Sequence, residues 1–278
     1  MNKNEALVFD AQPTLYYQFF NTYLNQEKRN KHAIYAIFKT HIRMFQGESF
    51  PIKTPSYKGF FGYQHSFKWG NNHFNLALET GHYSNGQSGC AWAENIKDGT
   101  DECKVARAAI SDQDDLAKLL NRSSGNFATN LTRFSIQYVI PKIKESATKD
   151  LELAHRFTLG YSKNHKAFAF PFNFSSGKGD IQIIGNQTIS LSSESFFSLN
   201  ENFDLSIKNK LDYIDDVHPS INPWRYNFTV NFFPKEWVTA FFMAFTSGHD
   251  NYNYRIVDSG NQFSVGVRWD LFDRSQYQ

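Results

Sequence analysis

The sequence has no apolar run of about 18 residues or more, so no segment of it is suited to cross a membrane as an α-helix. It also lacks a strong basic excess: 29 Lys and Arg against 27 Asp and Glu give a formal net charge of +2. That balance argues against a nucleic-acid-binding protein. Cysteine, with 2 residues, methionine, with 3, and proline, with 8, are all scarce. The 278 residues suffice for one large barrel or two ordinary domains.

Aromatic residues, in contrast, make up 17% of the chain, with 28 Phe and 14 Tyr. Such a content suits a transmembrane β-barrel, which carries aromatic girdles at both membrane interfaces, and it equally suits an aromatic-rich soluble sandwich. The mean hydropathy of −0.52 does not decide between them. Lipid-facing and lumen-facing residues alternate along the strands of a barrel, so an average hides the apolar face.

The two cysteines, Cys90 and Cys103, lie in one polar stretch and predict a disulfide formed in an oxidising compartment. The alternative is a pair of free thiols. A zinc site is disfavoured because no CxxC spacing or paired histidine accompanies them. Residues Met1–Phe9 lack the apolar core of a secretory signal, and we expect the numbering to begin on a processed chain.

The hydrophobic pattern predicts an all-β meander in a single domain spanning residues 1–278. Segments of about ten residues suit tilted membrane-crossing strands. The candidate strands are Thr14–Leu24, Ala33–Met44, Lys58–Lys68, Phe74–Ser84, Asn130–Pro141, Glu152–Ser162, Asp180–Ile184, Asp204–Tyr213, Trp224–Phe233, Glu236–Ser247 and Gln262–Phe272.

Short and long connections follow one another, as in outer-membrane barrels. Gly70–Asn72 and Pro234–Lys235 predict tight turns, whereas about 87–128 and Gly248–Asn261 predict long loops. Within the first long loop, Ser111–Leu120 is the single helix candidate, with Ser111 as its N-cap.

The most informative segment is Phe74–Gly86, which alternates in parity along its length. Successive side chains of a strand point to opposite faces, so Phe74, Leu76 and Leu78 share a face with His82 and Ser84. In a membrane barrel that apolar face meets lipid, and a His–Ser pair on it is a candidate site for chemistry on lipids.

The run from His82 to Gly86, HYSNG, resembles the HxSNG motif of the outer-membrane phospholipase A family. The flanking Ser49–Tyr57 and Phe60–Tyr63 resemble the loop and strand before that motif, and Thr246–Phe272 resembles the family's last hairpin and terminal strand. The resemblance implies one transmembrane antiparallel barrel of about 12 strands in the bacterial outer membrane. The long loop with Cys90 and Cys103 is then expected to be an extracellular loop stapled by the disulfide.

The resemblance also implies a catalytic set of Ser84 as nucleophile, His82 as base and an Asn that orients the imidazole. Asn130 shares the less polar face of its strand and is the candidate for the third member. The gap of 48 residues from His82 to Asn130 exceeds that of the family, so Asn121 and Asn126 are rivals. A neutral Asn suits a lipid-facing wall, where an unpaired carboxylate is costly.

Members of the family use calcium. The implied ligands here are Ser49, the backbone carbonyl of Gln87, which stands where the family has Arg, and Asn126. A carboxamide oxygen is a suitable calcium ligand. The acidic run Asp98–Glu102 lacks the EF-hand spacing and is interpreted as a solvated loop.

The resemblance therefore implies a calcium-assisted esterase acting on membrane phospholipids, and it implies a homodimer. One alternative is a catalytically silent barrel that serves as a pore or as a structural subunit of a larger outer-membrane complex. Another is a lipid A 3-O-deacylase, which has a similar motif but a smaller barrel and an acidic third residue; the length of this chain and Asn130 disfavour it.

Overall fold

A computed structural model of the protein describes residues 7–22, 30–45, 55–143, 152–165, 185–200, 202–235, 237 and 239–269. Within these ranges the fold is all-β, with twelve antiparallel strands and few helical turns. The strands are β1 (Leu7–Ala11), β2 (Thr14–Asn21), β3 (Asn30–Phe45), β4 (Ser56–Trp69), β5 (Asn72–Ser84), β6 (Ala128–Ile143), β7 (Glu152–His165), β8 (Gln187–Ser198), β9 (Phe203–Asp215), β10 (Trp224–Pro234), β11 (Thr239–His249) and β12 (Ser259–Trp269).

All twelve strands belong to one sheet with the order β1-β3-β4 and onward through β12, and β2 also pairs with β3. Consecutive strands from β2 onward pair with each other, which is the predicted meander. Gly70 makes the β4–β5 turn tight because its φ of +62° suits a residue without a side chain. In the described ranges no ladder joins β12 to β1 or β2, so the hydrogen-bonded ring is not closed.

Most predicted strands match observed ones within a few residues at each end. Two strands were not predicted: β1 is short, and β8, with the sequence QTISLSSESFFS, is rich in serine and weak in apolar alternation. The predicted strand Asp180–Ile184 lies outside the described residues. Of the helices the structure describes, none has the length and apolar character required for a membrane span.

The two faces of the sheet differ sharply in chemistry. Exposed apolar side chains follow one row across neighbouring strands, from Tyr63 through Leu78, Phe134 and Tyr161 to Ile189, each paired with the next in register. The opposite face is polar and carries ion pairs such as Arg133 with Glu79. We call these the outer and the inner face.

The sheet curls until its two ends touch. Arg43 of β3 and Asp250, which follows β11, lie on strands eight positions apart in the sheet, or about 38 Å if it were flat. Nevertheless Arg43 Nη1 lies 2.5 Å from Asp250 Oδ2, and its Nε lies 2.8 Å from Asp10 Oδ2. The Arg43 guanidinium also covers the Tyr252 ring, and burial raises the pKa of Tyr252 to about 12.

Three loops at one end of the sheet pack into a shared hydrophobic cluster, which we call the loop core. It joins the β5–β6 connection to the β9–β10 and β11–β12 connections, the last of which contains a 3₁₀ helix at Asn253–Val257. Its buried members are Ala91, Leu116, Leu120, Phe127, Ile214, Ile221, Tyr254, Ile256 and Val257. Arg122 adds an ion pair with Asp258, at 2.9 Å.

The predicted disulfide is confirmed, since Cys90 and Cys103 are bonded. The helix prediction at Ser111–Leu120 is wrong in its bounds: α1 spans Asp101–Ala108 and α2 spans Leu116–Leu119. Thr100 caps α1 by accepting the N–H of Cys103. Ser111 lies in the turn between the helices, where its N–H donates to Asp114 and holds the pKa of that carboxyl below its usual range.

Candidate active site

The β5–β6 register places two polar residues opposite each other on the outer face. His82 pairs with Asn130, and the Nδ1 of His82 lies 2.8 Å from the Oδ1 of Asn130. A carboxamide oxygen only accepts hydrogen bonds, so Nδ1 carries the proton and Nε2 is the basic nitrogen. The amide therefore selects one imidazole tautomer.

Ser84 lies two residues beyond His82 on β5, opposite Tyr57 of β4 and Ala128 of β6. Alternation places its side chain on the same face as that of His82. Both residues retain some solvent-exposed surface. Further along the same face of β5 lies Leu78, which is 51% exposed, so the polar pair lies beyond the exposed apolar row that crosses the strands at Leu78.

Asn130 is fully buried at 0% exposure, although it stands on the outer face. On its far side it pairs in register with His165 of β7, whose Nε2 lies 3.0 Å from the hydroxyl of Thr132. The site is thus a row of His82, Asn130 and His165 across three strands. His165 was missed in the sequence because only the strand register reveals that it neighbours Asn130.

The turn after Ser84 is held by Asn85. Its side-chain oxygen accepts the backbone N–H of Phe127, at 2.9 Å, and of Gln87, at 3.2 Å, and its Nδ2 donates to the carbonyl of Gly125. Gly86 follows with a φ of +68°, in the region that favours glycine. The Asn and Gly of the HYSNG run thus fix the end of β5.

Two of the three predicted calcium ligands belong to the residues that the structure describes. Ser49 lies outside the described residues, whereas Gln87 and Asn126 lie in the long loop next to the strand ends. The amide nitrogen of Asn126 donates to Asp98 Oδ2 at 2.7 Å. Among the described residues no group of three or more His, Cys, Asp or Glu side chains is arranged to hold a metal.

The rival Asn121 has a different environment. It is 2% exposed inside the loop, donates to the carbonyl of Cys90 at 3.1 Å and accepts the N–H of Ser124 at 3.1 Å. Asn126 donates its backbone N–H to Gly89 and accepts the hydroxyl of Tyr254 at its carbonyl. Both residues organise the loop, and Asn130 is the Asn whose side chain bonds His82.

The loop core lies toward the inner face of the strands that carry the site. Tyr83, whose neighbours His82 and Ser84 point outward, packs against Phe127 with ring centroids 4.6 Å apart. His82 and Ser84, whose side chains lie on the outer face, are therefore not members of the loop core.

No family model matches the sequence, and no curated protein matches it. A solved structure described as outer membrane phospholipase A from Escherichia coli is similar in fold, with a TM-score of 0.53. The alignment covers 94% of this chain and 77% of that one at 8% sequence identity. At this identity the likeness establishes a common fold.

Proposed function

We propose that the protein is an outer-membrane β-barrel whose outer face carries a phospholipid esterase. The exposed apolar row and the polar inner face suit a wall between lipid and a wet interior. The contact of Arg43 with Asp250 brings the two ends of the sheet together, as barrel closure requires. The fold likeness to an outer membrane phospholipase supports the same conclusion.

The 2.8 Å contact between His82 Nδ1 and Asn130 Oδ1 carries the assignment of the reaction. With its tautomer set, His82 takes the proton of Ser84 Oγ at Nε2 as that oxygen attacks an acyl ester carbonyl. The same imidazolium then protonates the departing lysophospholipid oxygen. Water, activated by His82, hydrolyses the acyl-Ser84 ester to a free fatty acid and restores the serine.

The position of this group suits an insoluble substrate. A phospholipid in the membrane presents its ester groups just below the headgroup, close to the rim of a barrel. His82 and Ser84 lie at the loop end of β5, on the same face as the exposed Leu78 further along that strand. The acyl chain would lie against this apolar outer face while the ester reaches Ser84.

Calcium is part of the proposal, held by the carbonyl of Gln87 and the amide oxygen of Asn126, with Ser49 as a further ligand. These are hard oxygen donors, as calcium prefers, and Asp98 contributes a nearby carboxylate through its bond to Asn126. When bound, the ion would supply positive charge to the oxyanion that forms at the ester carbonyl. A homodimer stays a prediction of the resemblance.

Covalent labelling tests the proposal. The full chain, folded in detergent micelles with calcium, is treated with a fluorophosphonate carrying a long alkyl chain, and the modified peptide is found by mass spectrometry. Attack by an activated serine forms an O–P bond and releases fluoride, so we expect one label per chain at Ser84. The Ser88→Ala variant, altered in the neighbouring exposed loop, serves as the control and should label normally. Absence of label at Ser84 in the folded wild type would favour the catalytically silent barrel.

A further inference from the structure

The inner face carries positive charge without matching negative charge just below the loop core. Lys39 of β3 and Lys58 of β4 lie directly opposite each other in register. Like charges in such a pair repel each other and destabilise the sheet. In the part of the chain that the structure describes, neither lysine forms an ion pair with a carboxylate.

The nearby carboxylates of the inner face have other partners. Glu79 is bound by the guanidinium of Arg133 and by the hydroxyl of Tyr35, at 3.0 Å. Asp212 is bound by the amine of Lys210 at 2.8 Å and by the hydroxyl of Ser190. These acids are therefore not available to neutralise Lys39 and Lys58.

Arg225 of β10, on the far side of the curled sheet, is not part of this group. It lies directly opposite Asp212 in register and donates to the backbone carbonyl of His249 at 3.2 Å. We call Lys39 and Lys58 the cationic cluster.

The cluster has a defined place. The amine of Lys58 sits 4.2 Å from the centre of the Tyr83 ring, and Tyr83 packs on Phe127 of the loop core. The cluster therefore lies beneath the loop core, on the opposite face of the sheet from His82 and Ser84. The side chains of Lys39 and Lys58 are only partly buried, so water and small ions reach them.

We propose that the cationic cluster binds a soluble oxyanion of the phosphate class inside the curled sheet. Two like charges held opposite each other in a confined interior cost free energy unless a counter-charge joins them. A tetrahedral oxyanion supplies that charge and accepts hydrogen bonds from the compact ammonium groups of both lysines. The strand backbones separate this site from the outer face, so it is distinct from the proposed esterase.

Thermal unfolding of the full chain in neutral detergent micelles tests the proposal, with inorganic phosphate compared against chloride at equal ionic strength. We expect phosphate to raise the Tm of the wild type saturably, by about 5 °C near 100 times the Kd. The Lys58→Gln and Lys39→Gln variants should lose this rise. Lys163→Gln removes an exposed lysine from the outer face and should keep it.

The substitutions have a second expected signature. Without phosphate, Lys58→Gln should unfold at the same Tm as the wild type or above it, because it relieves repulsion with Lys39. The proposal would be overturned if phosphate did not raise the Tm of the wild type. It would also be overturned if phosphate raised the Tm of Lys58→Gln and Lys163→Gln by the same amount. So would a Lys58-dependent rise produced by phosphatidylglycerol in the micelles but not by phosphate, because the ligand would then be a lipid headgroup.

Discussion

His82 and Asn130 are 48 positions apart in the chain, yet they face each other on adjacent strands with Nδ1 and Oδ1 2.8 Å apart. The intervening loop is long because it forms part of the loop core, and it returns the chain to the strand next to β5. An insertion there is tolerated because the entropy of closing a loop grows only slowly with its length.

Asn130→Ala should slow lipid hydrolysis without unfolding the protein. The variant loses the group that selects the His82 tautomer, and the loss of one such buried hydrogen bond corresponds to a fall in kcat of about 10- to 100-fold. Fatty-acid release from phospholipid in mixed micelles measures it. The matched variant is Asn121→Ala, which should lower Tm through its lost contacts with Cys90 and Ser124 while the residual folded enzyme keeps its kcat. The reverse pattern would transfer the orienting role to Asn121.

Asn126→Ala should raise the calcium concentration needed for half-maximal activity, by about 10-fold, because one oxygen ligand is lost. The assay is fatty-acid release over a series of buffered free calcium concentrations, with a chelator as the lower limit. Asp98→Asn is the companion variant, since it keeps a partner for the Asn126 amide while removing a charge. Equal calcium curves for wild type and Asn126→Ala would remove this residue from the ligand set.

Reduction of the Cys90–Cys103 disulfide should loosen the long loop while leaving the strands paired. The bond closes a short stretch within the loop, and cross-links of this kind stabilise by about 3 kcal/mol. The double variant Cys90→Ser, Cys103→Ser stands for the reduced protein. Limited trypsin digestion of this variant in micelles measures the loosening of the loop, and far-ultraviolet circular dichroism measures the strand content. We expect cleavage near Lys104 and Arg107 with the β spectrum kept. Resistance to trypsin equal to that of the wild type would mean that the loop core alone holds the segment.

Arg43→Met should destabilise the junction between the ends of the sheet. Arg43 is 5% exposed and bridges Asp10 and Asp250, so its loss leaves two carboxylates without their shared cation, at a cost of about 3 kcal/mol. Thermal unfolding in micelles measures the lower Tm. Lys104→Met breaks an exposed ion pair with Asp101 and should leave Tm unchanged. If Arg43→Met and Lys104→Met changed Tm by the same amount, Arg43 would not stabilise the contact between the ends of the sheet.

Many of the strands could be predicted because the alternation of apolar and polar residues is visible within a single segment of sequence. The alternation along Phe74–Ser84 indicates both the strand and its apolar face, and the same argument assigns Asn130 to that face. The sequence predicted β8 poorly because serines and Glu194 interrupt its apolar alternation between Leu191 and Phe196. The pairing of Asn130 with His165 depends on register between separate strands, which no single segment encodes.

The loop helices illustrate the same limit. Ser111 and Thr100 are both suitable N-cap residues, and both are followed by acidic residues, which the positive end of a helix favours. The structure begins a helix after Thr100 and places Ser111 in a turn, where Leu116 and Leu120 beyond it pack in the loop core. Long-range packing therefore decided between two equivalent local signals.

The most direct measurement is fatty-acid release from phospholipid by Ser84→Ala in calcium-containing mixed micelles, with Ser88→Ala as the matched control. The account predicts that Ser84→Ala retains the wild-type Tm and loses hydrolysis by about 1,000-fold or more, because no oxygen remains for His82 to activate. Ser88→Ala should match the wild type. Fatty-acid release by a folded Ser84→Ala variant at the wild-type rate would contradict the esterase.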